Sequence, residues 1–440
     1  MTIEEAARYV LQQAEARGVA AEVLGEQSRR FNARAWHGRL DQTTQAVQRG
    51  LGVRVVVDGR VGYAYSEELA APALDWMLTE ALENAALQDT ASGFIPAGVA
   101  LGRHDLLGNG LAASLEAKVQ TALGFEATLR EDRRVKEVSA ATYAEVEHDV
   151  TVASTMGATG SYRRGIAGII GSVVMEEGTS RKQGWEAEWV TQLQVLDPGR
   201  TALTLTEGTA RMLGARPLRT GRYPAYIEPK AFAELLAYFW HLWSGKTVME
   251  GKSRLQGQLG KAVAASIMTL IDDPMLPDGL ARRPFDAEGT PCQRVTLVEA
   301  GVLKTYLTNS ETARALRIEN NGHAARRYRD VLGVAPSNLY VHPGTGVSMR
   351  RGVLVTEMMG LHAGTDPISG EFSVQALGQW VDEGQVAYPV EDFAVAGDFL
   401  SLLERITALG EALSWELAGT GGAAFGAPLV EVADLSFAGK

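Results

Sequence analysis

The amino-acid sequence predicts an α+β protein, in which an N-terminal α+β half is followed by a β-rich C-terminal domain; a barrel is one option for that domain. Three observations support this fold class. In the first half, segments with the apolar spacing of helices alternate with β-rich runs. In the second half, short β-rich runs are separated by turn residues. Dipeptides suited to tight hairpins join several of these runs along the chain.

The first helix and the first hairpin give the clearest local signals. Thr2 and Glu5 have the spacing of a capping box at a helix start, and Gly18 is suited to the position just past the helix end. After this helix, the run LGVRVVVDGRVGYAY places β-rich residues on both sides of Asp58 and Gly59. That dipeptide accommodates the positive φ angles of a type I′ turn, so an antiparallel hairpin is predicted here.

The rest of the first half changes its pattern twice. A helix is predicted over residues 72–88, because a proline stands where the first helical turn tolerates it, and a glycine-rich linker is predicted over residues 86–110. Residues 111–132 have helical spacing, whereas residues 136–154 alternate with a period of two. His148 lies on the apolar face of that strand. A lone histidine in such a place is more often a hydrogen-bonded core residue than a metal ligand.

Changes of pattern divide the chain into three segments. We expect an N-terminal α+β domain over residues 1–105 and a central region of helices and long strands over residues 106–222. Residues 223–440 form the β-rich C-terminal domain. In that domain, hairpins are predicted at residues 300–301 in LVEAGVLKTYL and at residues 383–384 in WVDEGQVAYPV.

Composition and charge argue against several classes of protein. The chain has 440 residues, of which 46% are hydrophobic and 22% charged, as in soluble globular proteins. A formal net charge of -11 argues against direct nucleic-acid binding, which depends on lysine and arginine neutralising phosphates. The basic run at residues 324–329 is expected to be a solvated face or a set of ion-pair partners. Cys292 is the single cysteine, so an internal disulfide is excluded.

Targeting signals are not recognised in the sequence. The N-terminus is acidic and amphipathic and lacks the features of a secretory signal. No run of about 18 apolar residues suggests a membrane span. With the single cysteine, these features lead us to expect a cytoplasmic protein.

Two glycine-containing segments have the residues of nucleotide-binding loops but the wrong context. Residues 244–247 read SGKT, yet the leading glycine of a phosphate-binding loop is replaced by Trp240 and a helix precedes the segment. Residues 419–424 read GTGGAA, but a proline and a β-rich run follow instead of a helix. Neither segment is expected to bind a nucleotide, and we expect no cofactor.

A predicted helix over residues 229–244 has the frame of a metallopeptidase helix. Such helices carry two histidines one turn apart, with a glutamate that activates water. Here the sequence offers only Glu234 and His241, whose Cα atoms lie about 10 Å apart along a helix axis. One histidine and one distant carboxylate cannot form this zinc site.

Several longer motifs identify a family. They are GLGVRVVVDGRVGYAY, LIDDPMLPDG, RPFDAEGTPCQRVTLVEAGVLKTYL, APSNLYVHPG, LVTEMMGLHAGTDPISGEFSVQALGQWVDEGQVAYPVEDFAVAGDF and GAPLVEVADLSFAG. In this order and spacing, from about residue 50 to residue 440, the chain resembles the TldD/PmbA (TldD/TldE) family. Members of that family are known as peptidases or as modulators of DNA gyrase.

The resemblance also implies where a zinc site would be. In the TldD branch the helix carries H-E-x-x-x-H, and a cysteine near the C-terminus completes the ligands. On that pattern the ligand positions are Ala237 and Leu242, and the glutamate position is Tyr238. His241 is one residue short of the second ligand, and residues 419–426 contain no cysteine. We therefore expect no metal, and no catalytic residue is assigned.

These absences are similar to those of the PmbA, or TldE, branch. The resemblance implies a non-catalytic subunit that pairs with a TldD-like zinc peptidase and acts on peptides or unfolded proteins; without that partner, a homodimer is the alternative. The former metal helix is then expected to be filled by packing of its aromatic and aliphatic residues, which are Tyr238, Phe239, Trp240, Leu242 and Trp243.

Two alternatives from other classes remain open. The first is a stand-alone peptidase or hydrolase with a non-standard site, using Cys292, an N-terminal Thr2, or metal ligands elsewhere such as His148 or His323. Four acidic residues could gather around a divalent ion, although such residues more often cap turns; they are Asp272, Asp273, Asp286 and Glu288. The second alternative is a binding module that modulates DNA gyrase or a toxin-antitoxin pair.

Overall fold

The computed structural model describes residues 1–418 and 422–440, and it confirms the predicted α+β class. The helices of the first half are α1 (Ile3–Ala16), α2 (Ala71–Ala86), α3 (Leu115–Leu129) and α4 (Pro198–Ala210). Its strands are β1 (Ala20–Trp36), β2 (Arg39–Val57), β3 (Arg60–Ser66), β4 (Ala100–Asp105), β5 (Val135–Ser154), β6 (Thr159–Glu177) and β7 (Ser180–Val190). A single 3₁₀ turn over Leu193–Val195 precedes α4.

All the strands of the first half belong to one sheet. Its order is β3-β2-β1-β5-β6-β4, and β7 pairs with β6. Strands from residues 1–105 and from residues 106–222 therefore lie side by side, and β1 pairs with β5 along most of its length. The division of the chain into three segments stays a prediction, but the first two segments share this sheet.

Capping and turn residues explain where the early elements begin and end. The Thr2 hydroxyl accepts a hydrogen bond from the Glu5 amide at 3.2 Å, and the Glu5 carboxylate accepts one from the Thr2 amide at 2.8 Å, which confirms the capping box. Asp58 and Gly59 have φ angles of 48° and 77°, as a type I′ turn requires. The third helix starts later than predicted because Ser114 caps it.

The second half begins near residue 214. Its helices are α5 (Pro229–Phe239), α6 (Gly245–Met249), α7 (Ser310–Leu316), α8 (Leu361–Gly364) and α9 (Phe399–Glu404), and a 3₁₀ turn covers Trp240–Trp243. Its strands are β8 (Arg216–Pro217), β9 (Gly221–Ile227), β10 (Leu270–Asp272), β11 (Val295–Glu299), β12 (Val302–Leu303), β13 (Ala324–Ala325), β14 (Gly333–Val334), β15 (Asn338–Val341), β16 (Gly352–Met359), β17 (Glu371–Asp382), β18 (Gln385–Asp398), β19 (Ile406–Leu409), β20 (Ser414–Ala418), β21 (Ala423–Ala427) and β22 (Val430–Ala438).

A closed barrel forms part of this half. The pairing runs β22-β9-β16-β17-β18, and β18 also pairs with β22, so five strands close into a ring. A second sheet has the order β12-β11-β10-β15-β21-β20. Helix α5 packs within this half through buried aromatic residues, among them Phe239, whose ring stacks on that of Phe399 at 4.5 Å. The barrel option for the C-terminal domain is thereby confirmed.

Both hairpins predicted in this half are present. Ala300 and Gly301 have φ angles of 48° and 79°, and the turn joins β11 to β12. Glu383 and Gly384 have φ angles of 49° and 83°, and the turn joins β17 to β18. In residues 1–418 and 422–440, helices that combine the length and the apolar character needed to cross a membrane are absent.

Polar contacts, some buried and some at the surface, join the two halves. Arg326 Nη2 lies 3.0 Å from Glu22 Oε1 on β1, and both side chains are fully buried. The backbone amide of Tyr328 donates to Glu26 at 3.0 Å, and Arg329 pairs with Glu67. Residues 324–329 therefore act in part as ion-pair partners, one of the two roles expected from the sequence.

Candidate functional site

The predicted metal helix is present in a shortened form. Helix α5 begins at Pro229, which suits its first turn, and ends at Phe239. The chain then tightens into the 3₁₀ turn, and Ser244 caps the short helix α6 by accepting from the Lys246 amide. The predicted helix over residues 229–244 is thus correct for its first eleven residues only. The SGKT segment is a helix cap and not a phosphate loop.

The four positions aligned with the zinc motif lie in different environments. Ala237 is half-buried and packs against the core, and Leu242 is fully buried. Tyr238 is 36% exposed. His241 is also exposed, and its ring lies 3.9 Å from that of Trp240.

The expectation that the aromatic residues of this stretch fill the core is partly wrong. Phe239, Leu242 and Trp243 are fully buried, but Tyr238 lies on the surface and Trp240 is only half-buried. The reason is the helical repeat, since each residue turns by about 100° and one face of α5 must point outward.

This set of side chains does not fit a zinc ion. Alanine and leucine have no lone pair to donate, and a zinc site needs three or four converging nitrogen, sulfur or oxygen ligands. Within residues 1–418 and 422–440, histidine, cysteine and acidic side chains do not cluster in threes in a way that could hold a metal. The prediction about a missing C-terminal cysteine concerns residues 419–426, of which 419–421 lie outside the described residues.

The acidic residues considered as a divalent-ion site are each engaged separately. Asp286 accepts hydrogen bonds from the backbone amides of Glu288, Thr290 and Ala324, all at 2.9 Å. Asp273 accepts from the Met275 amide at 3.0 Å. These contacts of Asp286 and Asp273 are those of turn-capping acids.

Asp272 and His323 form a buried pair. Asp272 Oδ2 lies 2.8 Å from His323 Nε2, and Asp272 Oδ1 accepts from the Ser337 amide at 2.8 Å. Burial works to raise the pKa of Asp272, but the hydrogen bond and charge of His323 hold it below its usual value. His323 Nδ1 lies 2.8 Å from Asn321 Oδ1. Both ring nitrogens of His323 are therefore engaged within the protein.

His148 and Cys292 also lie away from any assembled catalytic group. His148 is half-buried on β5, and its Nε2 atom has no hydrogen-bond partner among the described residues, which differs from the bonded core residue expected. Cys292 Sγ lies 3.0 Å from the carbonyl oxygen of Gly322, and burial raises the pKa of its thiol. A protonated thiol is a poor nucleophile.

A cleft of about 710 Å³ runs beside α5, and sequence reasoning missed it. It lies between β7 and α4 of the first half and α5, β16 and β20 of the second. Lys230, in the first turn of α5, stands among glutamates: its Nζ lies 3.0 Å from Glu186 and 3.9 Å from Glu416. The same Nζ lies 3.6 Å from the centre of the Trp185 ring.

Four carboxyl groups of this cleft have a pKa above that of a free glutamate. Burial raises the pKa of Glu234 to about 7 and that of Glu416 to about 8, and neighbouring glutamates add to both shifts although Lys230 opposes them. Burial likewise raises the pKa of Glu228 and of Glu357. We call this region the glutamate cleft; its residues are Glu186, Glu228, Lys230, Glu234, Glu357 and Glu416.

The glutamate cleft lies along helix α5. Glu234 is three residues before Ala237, so the two positions share a face of α5. Carboxyl groups that titrate near neutral pH can both donate and accept hydrogen bonds, as main-chain amides and carbonyls require. Lys230 and Glu234 carry a sequence signal, an i,i+4 pair, and Glu228 directly precedes the same helix, whereas Glu186, Glu357 and Glu416 come from distant strands.

Comparison with known proteins agrees with the motifs. Three sequence families match the chain: PmbA/TldA metallopeptidase domain 1 over residues 21–86, the central domain over residues 109–213, and the C-terminal domain over residues 220–439. The metalloprotease PmbA of Escherichia coli O157:H7 is 24% identical over 419 residues, which cover 93% of this chain and 91% of that protein.

Two solved structures are similar over nearly the whole chain. A proposed modulator of a DNA gyrase from Thermotoga maritima MSB8 has a TM-score of 0.87 and 27% identity, and the match covers 99% of this chain and 100% of that one. TldE from Thermococcus kodakarensis has a TM-score of 0.86 and 19% identity, with 98% and 100% covered, which shows a shared fold. From the matched domains, the chain belongs to the PmbA/TldD family of metallopeptidase-related proteins.

Proposed function

We propose that this chain is a non-catalytic, TldE/PmbA-like subunit of a TldD-type metallopeptidase complex that processes peptides and unfolded proteins. It pairs with a zinc-bearing TldD-like subunit, or with a second copy of itself when that subunit is absent. In this role the chain contributes walls and contacts to the chamber in which the partner cleaves its substrate.

One observation carries this proposal. The helix that would hold zinc keeps its start at Pro229 and its place in the core, while Ala237 and Leu242 stand where ligands would be. None of the seven histidines in the chain is followed by a glutamate. A retained framework without metal-binding side chains supports a structural role next to a catalytic partner.

The glutamate cleft supports a contact with peptides. Its volume of about 710 Å³ is within the range of ligand-binding clefts. Its polar wall offers protonated and ionised carboxyls, and its tryptophans include Trp185 and Trp415. An extended peptide presents main-chain amide groups, which the carboxyl groups can bind, and apolar side chains, which the tryptophans can contact.

Reconstitution with a partner tests the proposal. The untagged chain is assayed alone and after mixing with a TldD-like protein from the same organism, using a fluorogenic oligopeptide and unfolded casein. We expect cleavage only by the mixture, and a chelator should abolish it. Cleavage by the chain alone, unaffected by a chelator, would instead support a stand-alone hydrolase.

A pair of variants locates the contribution of the cleft. Lys230→Met removes the charge at the centre of the glutamate cleft, whereas Lys252→Met removes a lysine whose side chain is 56% exposed. In the reconstituted complex we expect only Lys230→Met to raise KM, about threefold or more, because one charge-assisted contact contributes roughly 1 kcal/mol. A change in gyrase supercoiling by the chain, without any effect on peptide cleavage, would favour the binding-module alternative.

A further inference from the structure

A second cavity lies where the two halves meet, away from the glutamate cleft. Its volume is about 380 Å³. One wall comes from the sheet of the first half, with Leu24, His148, Val150 and Tyr162; the other comes from residues 283–287 and 324–335 of the second half. We call it the seam cavity.

Positive charge dominates the lining of the seam cavity. Four arginines line it, and they are Arg164, Arg283, Arg326 and Arg327. Three acidic residues face them. Glu26 accepts from the Tyr328 amide, Asp286 accepts from three backbone amides, and Asp330 is exposed. Burial raises the pKa of Glu26 and of Asp286, which weakens the negative charge opposing the arginines.

Several nitrogen atoms of this lining are buried without a hydrogen-bond partner among the described residues. They are His148 Nε2, Arg283 Nε, and both Nε and Nη1 of Arg326. The Arg326 side chain is fully buried, although its Nη2 atom donates to Glu22. A buried donor left without an acceptor is destabilising, because it has lost its hydrogen bonds to water. These unpaired nitrogens therefore point to a partner that the described part of the chain does not supply.

The remaining wall is apolar. Tyr162 and Phe285 pack edge to face with ring centres 5.1 Å apart, and Leu24 and Val150 lie in the same buried cluster. A cavity of this size suits a small molecule better than a bare ion. Guanidinium groups match the planar or tetrahedral oxygen arrays of carboxylate and phosphate.

We propose that the seam cavity binds a small organic anion, with its carboxylate or phosphate on Arg283, Arg326 and Arg327 and its hydrocarbon part against Tyr162 and Phe285. The site is distinct from the glutamate cleft and does not depend on the peptidase role. Since residues from both halves form it, the ligand also strengthens their contact.

His148 provides an internal reporter of occupancy. It is paired with Arg164 across β5 and β6 and lies near Arg327 and, from β1, Arg30. Burial and these three charges lower the pKa of His148 to about 3. A bound anion supplies the opposite charge and raises the pKa of the imidazole.

Calorimetric titration of the full chain at constant ionic strength tests the site. The probes are N-acetyl-leucine, its neutral amide, phenyl phosphate and inorganic phosphate. The binding of each probe is compared with that of chloride. We expect N-acetyl-leucine or phenyl phosphate to bind, the amide not to bind, and inorganic phosphate to bind more weakly. The carboxylate and phosphate arms show which oxyanion is preferred. The His148 pKa, followed by NMR, should rise at saturation.

A matched pair of variants distinguishes a specific binding site from a general effect of surface charge on anion binding. Arg327→Glu changes an exposed lining residue, and Arg60→Glu changes an exposed arginine in the first hairpin. We expect at least tenfold weaker binding for Arg327→Glu and no change for Arg60→Glu, with both variants folded by circular dichroism. Equally weakened anion binding in the two variants would overturn the proposal. It would also be overturned if none of the probe anions bound more tightly than chloride.

Discussion

Arg54 Nη2 lies 3.0 Å from Glu288 Oε1, and this ion pair joins strand β2 of the first half to the loop between β10 and β11 of the second. The arginine side chain is 5% exposed and the glutamate is fully buried. The same Nη2 atom lies 2.9 Å from Glu22 on β1. Glu288 also accepts from the Ser310 amide at the start of α7. Two buried carboxylates at the junction of the halves therefore share the Nη2 group of one arginine, and Glu22 also pairs with Arg326.

Replacing Arg54 should destabilise the whole protein. Arg54→Ala leaves Glu22 and Glu288 buried without this cation, and breaking a buried pair typically costs about 3–5 kcal/mol. As a control, Arg29→Ala removes a pair with Asp149 in which the arginine side chain is 45% exposed, and should cost less than about 1 kcal/mol. Urea denaturation measures the free energy of unfolding of both variants. Equal losses in the two variants would mean that the buried pair has no special role.

Close backbone approach between the halves gives a second prediction. A Cβ atom on Gly52 would lie 2.0 Å from the carbonyl oxygen of Tyr328, so Gly52→Ala must push the halves apart. We expect a loss of about 2 kcal/mol or more, as for other overpacked sites. Gly124→Ala on α3 meets no atom within 4 Å and should instead gain about 0.5–1 kcal/mol. Thermal unfolding of the two variants distinguishes these outcomes.

The glutamate cleft should make stability depend on pH. The folded pKa of Glu416 is about 8, against an unfolded value of about 4.3. Between these values the folded state holds more protons than the unfolded state, so stability falls as pH rises through this window. Glu416→Gln removes the linkage and should stabilise the protein by about 1 kcal/mol near pH 8, after allowance for solvent screening.

The measurement is urea unfolding at about pH 5 and about pH 8. Glu83→Gln, on an exposed position of α2, is the control and should leave the pH dependence of the parent protein unchanged. If Glu416→Gln destabilises the protein at the higher pH, its carboxylate is stabilised by contacts that outweigh burial.

Metal content gives a direct prediction about α5. We expect the purified, untagged chain to hold less than about a tenth of an equivalent of zinc by mass spectrometry, because its helix lacks converging ligands. His241→Ala should not change this value. Near one equivalent of zinc would contradict the prediction. The source could not then be His323 in its present geometry, since both of its ring nitrogens are engaged.

Local features of the fold could be predicted from the sequence because short-range contacts decide them. The capping box of Thr2 and the hairpin at Asp58 and Gly59 depend on residues a few positions apart, and both are present. The placing of Ala237 and Leu242 at zinc-ligand positions stays a prediction, because it depends on an alignment set by the flanking motifs. The surface position of Tyr238 was missed, since an aromatic residue in an apolar run does not reveal which helix face points outward.

By itself, the sequence determined the fold class and the family, both of which follow from residue types in a fixed order. Only the tertiary structure decided which distant side chains meet. Glu186, Glu357 and Glu416 approach Lys230 from separate strands, and Arg283 and Arg326 face His148 across the seam cavity. The shifted pKa values of Glu357, Glu416 and His148 arise from this convergence, because desolvation and charge depend on distance in space and not on distance along the chain.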